Sequence, residues 1–383
     1  MYIYDSIFML STITWSYRLP SIDWIGFINE TGYGQAAYDY IRALKSSNNY
    51  DIKITCINGR PSSNFIESDE LRFFHDACKK KSLSNQIQIF HCIPTIQMRY
   101  NRNARAMGFA TFETFEPPTN WIGLLNKMDA VICPSLFNYK IFAHAGINKP
   151  IFHLPHCFDV NRFHDAVPPI CKREKFTFLY FGTWKKRKGW PQLLEAYLEA
   201  FTEKDNVELL IKTDKINIAI HDIDKIKRNY NNRKDLPPIS IERRIFDDAH
   251  IPSFYKSCDC LVMPTLGEGF GLPALQCMAC KVPVVITNFS GCQDYANDDT
   301  CTLLEPSGFL LHSNMDQIIQ FSNKKWPLIT INTIKLAMRQ VFENYEVAKR
   351  KAQVAYDFVH KNFNYNVINL QFKDIMESVY RVN

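Results

Sequence analysis

Short apolar runs recur along the chain, with stretches of helical periodicity between them. Most runs are continuous rather than alternating and are rich in β-branched and aromatic residues, which is typical of parallel strands covered by helices on both faces. The first half has runs at residues 23–28, 51–57, 87–93, 108–112, 130–133 and 151–154. The second half has runs at residues 176–181, 207–211, 238–241, 260–263, 282–286 and 308–311. The pattern predicts an α/β protein with two Rossmann-like, doubly wound parallel-sheet domains.

A proline pair separates the two series of runs. Pro168 and Pro169 interrupt both helix and strand, so we place a linker at residues 166–170. A chain of 383 residues exceeds what one hydrophobic core usually supports, which agrees with two domains. We therefore expect one domain over residues 1–168 and a second over residues 169–361.

Composition and charge narrow the class of protein. The chain is 46% hydrophobic and 22% charged, as expected of a folded protein. The net charge of +6 is modest for this length, so nucleic-acid binding is not indicated, while contact with an anionic membrane surface stays open. The apolar start carries Asp5 and lacks a basic first segment, which favours a strand or adaptor over a signal peptide. Twelve cysteines without a compact framework favour a reducing, cytoplasmic compartment.

Residues 268–285, EGFGLPALQCMACKVPVV, combine an anion site with a carboxylate. The segment follows an apolar run, and Pro273 suits the first turn of a helix. Gly269 and Gly271 let the backbone approach a ligand, and the free N–H groups of the helix start favour a diphosphate. Glu268 can accept hydrogen bonds from sugar hydroxyls beside that site. Together these features indicate a nucleotide sugar, with an ordinary turn and amphipathic helix as the alternative.

A basic loop in the second half has related chemistry. Residues 178–189, FLYFGTWKKRKG, lead from an apolar run through this loop into a helical stretch. Cations and backbone donors at a helix start make a diphosphate site, and the cations nearest to that start are Arg187 and Lys188. Solvated surface charge is the alternative for both residues.

A glycine-containing turn, ETGYGQ at residues 30–35, follows the first predicted strand. The helix after it should begin near Ala36. A lone G-x-G is a weak signal, and a plain strand-to-helix turn is the alternative to a ligand contact by Gly32 and Gly34.

The order of these segments resembles the retaining glycosyltransferases of family 4, in which two domains of the GT-B fold face a central cleft and close over a nucleotide-sugar donor. The E-x7-E element of that family matches Glu268, whereas its second acidic position is Gln276 in this chain. The resemblance implies that Glu268 contacts the donor sugar and Gln276 the ribose, since glutamine can still accept and donate hydrogen bonds. It also implies donor contacts for the turn residues Gly269, Phe270, Gly271 and Leu272.

The resemblance extends to the loops on both sides of the cleft. It places Lys188 against the donor phosphates. Many members of the family have arginine directly after the glycine of the basic loop, where this chain has Thr183, and we expect Arg187 to supply the missing charge. The turn with Gly32 and Gly34 matches the loop that approaches the phosphates from the opposite wall.

Residues 108–118, GFATFETFEPP, match a loop in which many family members have a histidine that touches the donor sugar. This chain has Glu113 there. A carboxylate can stabilise the positive charge that develops on the sugar ring during transfer, so we expect Glu113 to be catalytic together with Glu268. The alternative is that Glu113 and Glu116 are plain loop acids.

Other polar residues are weaker candidates. His91, at the end of a predicted strand, is either a cleft residue or a core histidine, and His156 is expected in the hinge and cleft wall. Asp222 and Asp224 spell D-x-D but fall in a helical pattern, which favours a solvated helix face over a metal site.

The resemblance implies a retaining, metal-independent hexosyltransferase without a cofactor. The first domain would bind the acceptor, which is a glycan, a lipid-linked molecule or a protein, and the second a GDP- or UDP-sugar, with a last helix at about 362–383 packed back on the first domain. We expect a cytoplasmic protein, and peripheral membrane contact stays open. Two alternatives remain: a nucleotide-sugar-binding partner protein without turnover, which Thr183 and Gln276 favour, and a sugar epimerase or phosphorylase.

Overall fold

The computed structural model describes residues 20–57, 59–61, 65–66, 68–82, 86–97, 104–312 and 323–381. The strand or adaptor expected at the start of the chain lies outside the described residues.

The first of two parallel sheets contains the apolar runs of the first half. Its strands are β1 (Ser21–Gly26), β2 (Asp51–Cys56), β3 (Ile87–His91), β4 (Ala106–Phe109), β5 (Ala130–Cys133) and β6 (Ile151–His153), in the spatial order β2-β1-β3-β4-β5-β6. The helices between them are α1 (Gly32–Ser47), α2 (Leu71–Lys79), α3 (Pro94–Gln97), α4 (Thr119–Leu125) and α5 (Leu136–His144). The six predicted strands are confirmed to within three residues at each end.

The second parallel sheet has the same architecture. Its strands are β7 (Phe176–Phe181), β8 (Val207–Lys212), β9 (Ile239–Ile241), β10 (Cys260–Met263), β11 (Val284–Thr287) and β12 (Thr302–Leu304), in the order β12-β11-β10-β7-β8-β9. The helices of this half are α6 (Trp190–Ala200), α7 (Ile216–Arg228), α8 (Ile251–Tyr255), α9 (Leu272–Ala279), α10 (Ile331–Glu343), α11 (Tyr345–Asn362) and α12 (Tyr365–Arg381).

One strand assignment is wrong. The run at residues 308–311 corresponds to β13 (Phe309–His312), which pairs antiparallel with β14 (Lys324–Pro327) in a separate two-stranded sheet. The sixth strand of the parallel sheet is β12, which pairs with β11 and was not predicted. β12 is only three residues long and directly precedes Glu305, so its apolar pattern is too short to recognise.

The C-terminal helix α12 lies against α1 of the first half. Asn369 donates a side-chain hydrogen bond to the carbonyl oxygen of Ala43 at 2.7 Å, and the rings of Phe372 and Tyr50 are 5.4 Å apart. The domain boundaries at residues 168 and 361 stay predictions. Within the described part of the chain, none of the helices has the length and apolarity that a membrane crossing requires.

Candidate active site

The candidate site lies where loops from both sheets meet, and each of these loops follows the carboxyl end of a strand. The loop after β7, the loop after β10 and the loop after β4 supply the charged side chains. In open α/β sheets, ligands bind in crevices outside the carboxyl ends of the strands. The topology therefore brings the predicted segments together at the expected edge of each sheet.

A buried ion pair joins the two strongest candidates. The ammonium of Lys188 donates to both carboxylate oxygens of Glu268, at 2.6 and 2.8 Å. Their side chains are 18% and 8% exposed, so solvent screens the pair weakly. β10 pairs with β7 in the sheet, which places the loops after these strands side by side.

Glycine at position 189 is required for this arrangement. Lys186–Lys188 form one turn of 3-10 helix, and Gly189, with a φ of 74°, connects that turn to α6. A Cβ at Gly189 would collide with the carbonyl oxygen of Pro264, at the end of β10. The close approach of backbone at Gly189 to β10 therefore sets the position of Lys188.

Glu268 is ionised in this environment. Its burial opposes ionisation, but the charges of Lys188 and Arg187 outweigh this effect and hold the pKa of the carboxyl below its ordinary value. Its backbone N–H donates to the hydroxyl of Ser290 at 2.9 Å. Ser290 has a φ of 64°, which is unusual for a residue with a side chain. Ser290 was not anticipated, because no sequence pattern marks a serine in this conformation.

Arg187 is paired with the loop from the other sheet. Its Nη2 lies 3.3 Å from Oε1 of Glu113, and its Nη1 donates to the carbonyl oxygen of Gly267. The sequence predicted that Glu113 contacts the donor sugar and that Arg187 contacts the diphosphate. The structure places these two candidates in contact with each other.

Thr111 and Gly269 bring the two sides of the cleft into direct contact. A Cβ at Gly269 would collide with Oγ1 of Thr111, so glycine permits the close approach of the two loops. Thr111 is held from its own side by two bonds: its hydroxyl donates to Asn138 at 3.0 Å, and its carbonyl oxygen accepts from the Tyr33 hydroxyl at 3.2 Å. Thr111 was missed, although it stands two residues before Glu113.

Gly32 and Gly34 lie in the first turn of α1 rather than in a loop. The helix begins at Gly32, so the expected start near Ala36 is wrong. Thr31 explains the earlier start, because its hydroxyl caps the helix by accepting from Gly34 N at 3.2 Å. Tyr33, between the two glycines, connects this turn to the cleft through Thr111.

Phe270 and Leu272 have buried side chains. The Phe270 ring packs 5.1 Å from His156 and 5.4 Å from Tyr295. The Tyr295 hydroxyl donates towards the carbonyl oxygens of Phe270 and Gly271, at 2.9 and 2.8 Å. The side chains of Phe270 and Leu272 thus belong to the hydrophobic core beneath the turn, which makes the turn rigid.

Gln276 and Thr183, the two departures from the family pattern, have opposite environments. The Gln276 side chain is 5% exposed, and its Oε1 accepts a hydrogen bond from the Tyr255 hydroxyl at 3.1 Å. Thr183 is exposed, and its carbonyl oxygen accepts from the Tyr180 hydroxyl at 2.9 Å. Tyr255 was not anticipated, because α8 and α9 are brought together only in the tertiary structure.

The basic loop is anchored by two aspartates, of which the sequence analysis considered only Asp222. The Trp184 indole N–H donates to Asp222 at 2.9 Å, and the Trp184 backbone N–H donates to Asp214 at 3.0 Å. Asp222 does lie on a helix, α7, as expected, but it contacts this loop instead of only facing solvent. Trp184 also stacks on Trp190 at 4.4 Å, so both ends of the loop are held.

The two histidines are neutral core residues. Burial holds the pKa of His91 well below its ordinary value, and its ring stacks on Phe109 at 4.3 Å. Burial also lowers the pKa of His156 to about 3, and its Nδ1 lies 3.0 Å from the Tyr40 hydroxyl. His156 packs below Phe270, which agrees with a cleft wall. Of the two alternatives given for His91, the position in the structure agrees with a core histidine.

Contacts at the rim also join the two sides of the cleft. Lys324, on β14, donates to Glu116 at 2.8 Å. The backbone N–H of Leu136 donates to the Asp294 carboxylate at 3.0 and 3.1 Å. Phe115 contacts Phe309 at 4.8 Å between ring centroids. Glu116 is thus a rim residue that faces β14.

The fold is that of the GT-B glycosyltransferases. The crystal structure of Anabaena HepE in complex with UDP-glucose superposes with a TM-score of 0.66 at 12% identity, over 94% of this chain and 99% of that chain. At this identity the likeness concerns the fold. The predicted class, two Rossmann-like domains that face a cleft, is confirmed.

Sequence comparisons match part of the chain to a known family. Residues 175–320 match the sequence model for the family described as glycosyl transferases group 1. CapM of Staphylococcus aureus, a capsular polysaccharide biosynthesis glycosyltransferase, is 28% identical over 138 residues, which cover 36% of this chain and 34% of CapM. An uncharacterized 41.2 kDa protein from the cps region of Klebsiella pneumoniae is 24% identical over 217 residues, which cover 53% of this chain and 55% of that protein. The matched part of the chain thus spans about half of the length of the Klebsiella protein and about a third of the length of CapM.

Proposed function

We propose that this protein transfers a hexosyl group from a GDP- or UDP-sugar to an acceptor hydroxyl, with retention of anomeric configuration. The observation that carries the proposal is the meeting of Lys188, Arg187 and Glu268 in the loops after β7 and β10, on the side of the cleft that faces the first sheet. Cations that can bind a diphosphate lie there beside a carboxylate that can bind sugar hydroxyls. The match of residues 175–320 to group 1 glycosyltransferases and the UDP-glucose bound by HepE support the same donor class.

The proposed reaction proceeds on one face of the sugar. The bond between the anomeric carbon and the phosphate oxygen breaks while the acceptor oxygen bonds to that carbon from the same face. The acceptor proton passes to the departing phosphate oxygen. The protein contributes position and charge: Lys188 and Arg187 stabilise the diphosphate, and Glu268 orients the sugar as an ionised carboxylate.

The proposal includes no divalent metal: Lys188, Arg187 and the free N–H groups at the start of α9 are the groups that would bind the diphosphate. Lys188 and Arg187 are both largely buried, which increases the strength of their interaction with an anion. Gly32, Gly34, Thr183, the 269–272 turn and Gln276 are the further donor-binding residues of this proposal. For Gln276, the contact with Tyr255 leaves its amide nitrogen to bind a ribose hydroxyl.

The acceptor is proposed only by class: a hydroxyl of a glycan, a lipid-linked molecule or a protein. The loops of the first sheet, with Glu113, would form its side of the cleft. We also propose a cytoplasmic location in which peripheral contact with a membrane is compatible with a lipid-linked acceptor.

A donor panel tests this function. Thermal unfolding is measured with UDP-, GDP- and ADP-sugars, because a ligand at 100 times its dissociation constant adds about 2.7 kcal/mol to the free energy of unfolding. Release of nucleoside diphosphate is then measured with the stabilising donor, with mixed acceptors and with EDTA present. We expect stabilisation by one donor and acceptor-dependent release that EDTA does not abolish. Stabilisation without release would favour a binding-only protein, and absence of stabilisation by every donor would reject the proposal.

A further inference from the structure

Arg187 and Glu113 form an ion pair across the cleft. Their side chains are 12% and 18% exposed, and the facing atoms are 3.3 Å apart. Arg187 belongs to the turn after β7, whereas Glu113 belongs to the loop after β4 in the other sheet. Because the pair is largely shielded from water, its attraction is screened less than that of a surface pair. The pair therefore contributes to holding the two loops together.

Among the described residues, each of the two cations at the centre of the cleft has a carboxylate partner. Lys188 faces Glu268, and Arg187 faces Glu113. A nucleotide sugar brings a negative charge on each phosphate, so its diphosphate and a carboxylate compete for the same cations.

Of the two carboxylates, Glu268 is the one that a diphosphate displaces less easily from its cation. It lies on the same side of the cleft as Lys188, and Ser290 holds its backbone. Glu113 reaches Arg187 from the opposite loop, so a small separation of the loops breaks its contact while both loops keep their own structure. The Arg187–Glu113 pair is therefore the one that a diphosphate can replace.

We infer that Glu113 and the donor diphosphate are alternative partners of Arg187, and that diphosphate binding releases Glu113 towards the donor sugar. This inference rests on the proposed function and adds a regulatory step to it. The exchange makes and breaks no covalent bond. Because of the exchange, the Glu113 carboxylate reaches the donor sugar only after the diphosphate has bound. Donor affinity is lowered by the strength of the Arg187–Glu113 pair, which the diphosphate must replace.

Binding of UDP and GDP by calorimetry tests the competition. Glu113→Gln keeps the size of the side chain and removes its charge, so we expect the dissociation constant of the preferred nucleoside diphosphate to fall about fivefold, as for loss of a moderate competing ion pair. Glu113→Ala is measured beside it and should change affinity in the same direction. In an Arg187→Ala background, Glu113→Gln should bring no gain, because the two residues then share no interaction.

Glu116→Gln is the matched control. It removes a carboxylate from the same loop and breaks another ion pair across the cleft, with Lys324, without touching Arg187. We expect unchanged nucleoside diphosphate affinity. An equal gain with Glu116→Gln would show that general loosening of the cleft, not competition for Arg187, raises affinity, and would overturn the inference.

Turnover separates this role from a purely structural one. Glu113→Gln should lower the transfer rate at saturating donor while it tightens diphosphate binding, a combination that a damaged cleft does not produce. Unchanged or weaker binding by both Glu113 variants, with normal binding by the wild type, would overturn the inference alone. Absence of nucleoside diphosphate binding by the wild type and by every variant would overturn the proposed function with it.

Discussion

The ammonium of Lys188 lies between the two carboxylate oxygens of Glu268, 2.6 Å from one and 2.8 Å from the other. Each residue therefore holds the other in the cleft. Lys188 keeps Glu268 ionised, and Glu268 holds the cation where the strands β7 and β10 end. A change at either residue has consequences for both, so nucleotide binding and transfer must be measured separately.

Lys188→Ala should weaken binding of the nucleoside diphosphate at least about tenfold. The substitution removes a charge-assisted hydrogen bond worth about 1.5 to 3 kcal/mol and leaves the Glu268 carboxylate without its cation beside the proposed phosphate site. Calorimetric titration with UDP and GDP measures the effect. Lys186→Ala is the control, since Lys186 is an exposed lysine of the same turn. An unchanged dissociation constant for Lys188→Ala would remove this residue from the diphosphate site.

Glu268→Gln should lower turnover on the order of a hundredfold and change nucleoside diphosphate binding much less. Glutamine can still accept a hydrogen bond from Lys188, but it lacks the charge that we propose acts on the sugar. Transfer rate at saturating donor and the dissociation constant of the nucleoside diphosphate are the two readouts. Equal losses in both would place Glu268 on the diphosphate instead of the sugar.

Most strands, and the loops after them, could be predicted because their apolar runs are continuous and have at least four residues. β7 and β10 coincide with the predicted runs at both ends, since β10 is apolar throughout and β7 is apolar apart from Thr177. β12 has three residues and was missed, while the exposed strand β13 was mistaken for a member of the buried sheet. The start of α1 was misplaced because the glycines at 32 and 34 resemble a loop, although Thr31 caps a helix there.

The site was predictable as a set of loops but not as a set of contacts. Sequence places Lys188 and Glu268 after strands, and the register of β10 against β7 then makes them neighbours. That register, and the approach of the loop with Glu113 to Arg187, depend on how the sheets pack. The burial of Gln276 against Tyr255 likewise follows from the packing of α8 on α9, which local periodicity does not encode.

Asp39→Asn should make the protein's stability less dependent on pH. Burial, reinforced by the Asp248 carboxylate, raises the pKa of Asp39 from 3.8 to about 7 in the folded state. The folded protein thus holds a proton that the unfolded chain releases between these values, so the stability from this group is complete below pH 3.8 and is lost as pH rises through about 7. Each tenfold change in the proton affinity of a group corresponds to about 1.4 kcal/mol, so the effect reaches a few kcal/mol.

Urea unfolding of wild type and Asp39→Asn at pH 5 and pH 8.5 measures this difference. The variant should gain free energy of unfolding relative to the wild type as pH rises, because asparagine avoids burial of a charge. Gln35 and Tyr365 donate to different oxygens of Asp39, so asparagine keeps one acceptor and loses the other, a loss that is the same at both pH values. Asp76→Asn, at an exposed position of α2, should show no such trend. A constant difference between Asp39→Asn and wild type across this pH range would contradict the assignment.

Gly269→Ala should reduce transfer by separating the loops of the two sheets. The added methyl group would collide with the Thr111 hydroxyl, and relief of such overpacking typically costs about 1 to 3 kcal/mol. Transfer rate and free energy of unfolding are measured together, with Gly123→Ala as a control because its methyl group meets open space on α4. Wild-type transfer by Gly269→Ala would show that this close approach is not needed for the reaction.

Gln276→Glu addresses the position at which this chain departs from the E-x7-E pattern. The Tyr255 hydroxyl that donates to Gln276 can donate equally to a carboxylate, so the variant should fold despite the burial of the position. We expect donor affinity equal to or higher than that of the wild type, because a carboxylate accepts stronger hydrogen bonds from ribose hydroxyls than an amide does. Donor dissociation constant and transfer rate are measured for both proteins, with Tyr255→Phe to separate loss of the supporting bond from loss of the ribose contact.

Higher affinity in Gln276→Glu with a preserved transfer rate would support a ribose contact in an active enzyme. A donor affinity that falls while nucleoside diphosphate binding is unchanged would place position 276 away from the ribose, and its glutamine would then serve the packing of α9 on α8.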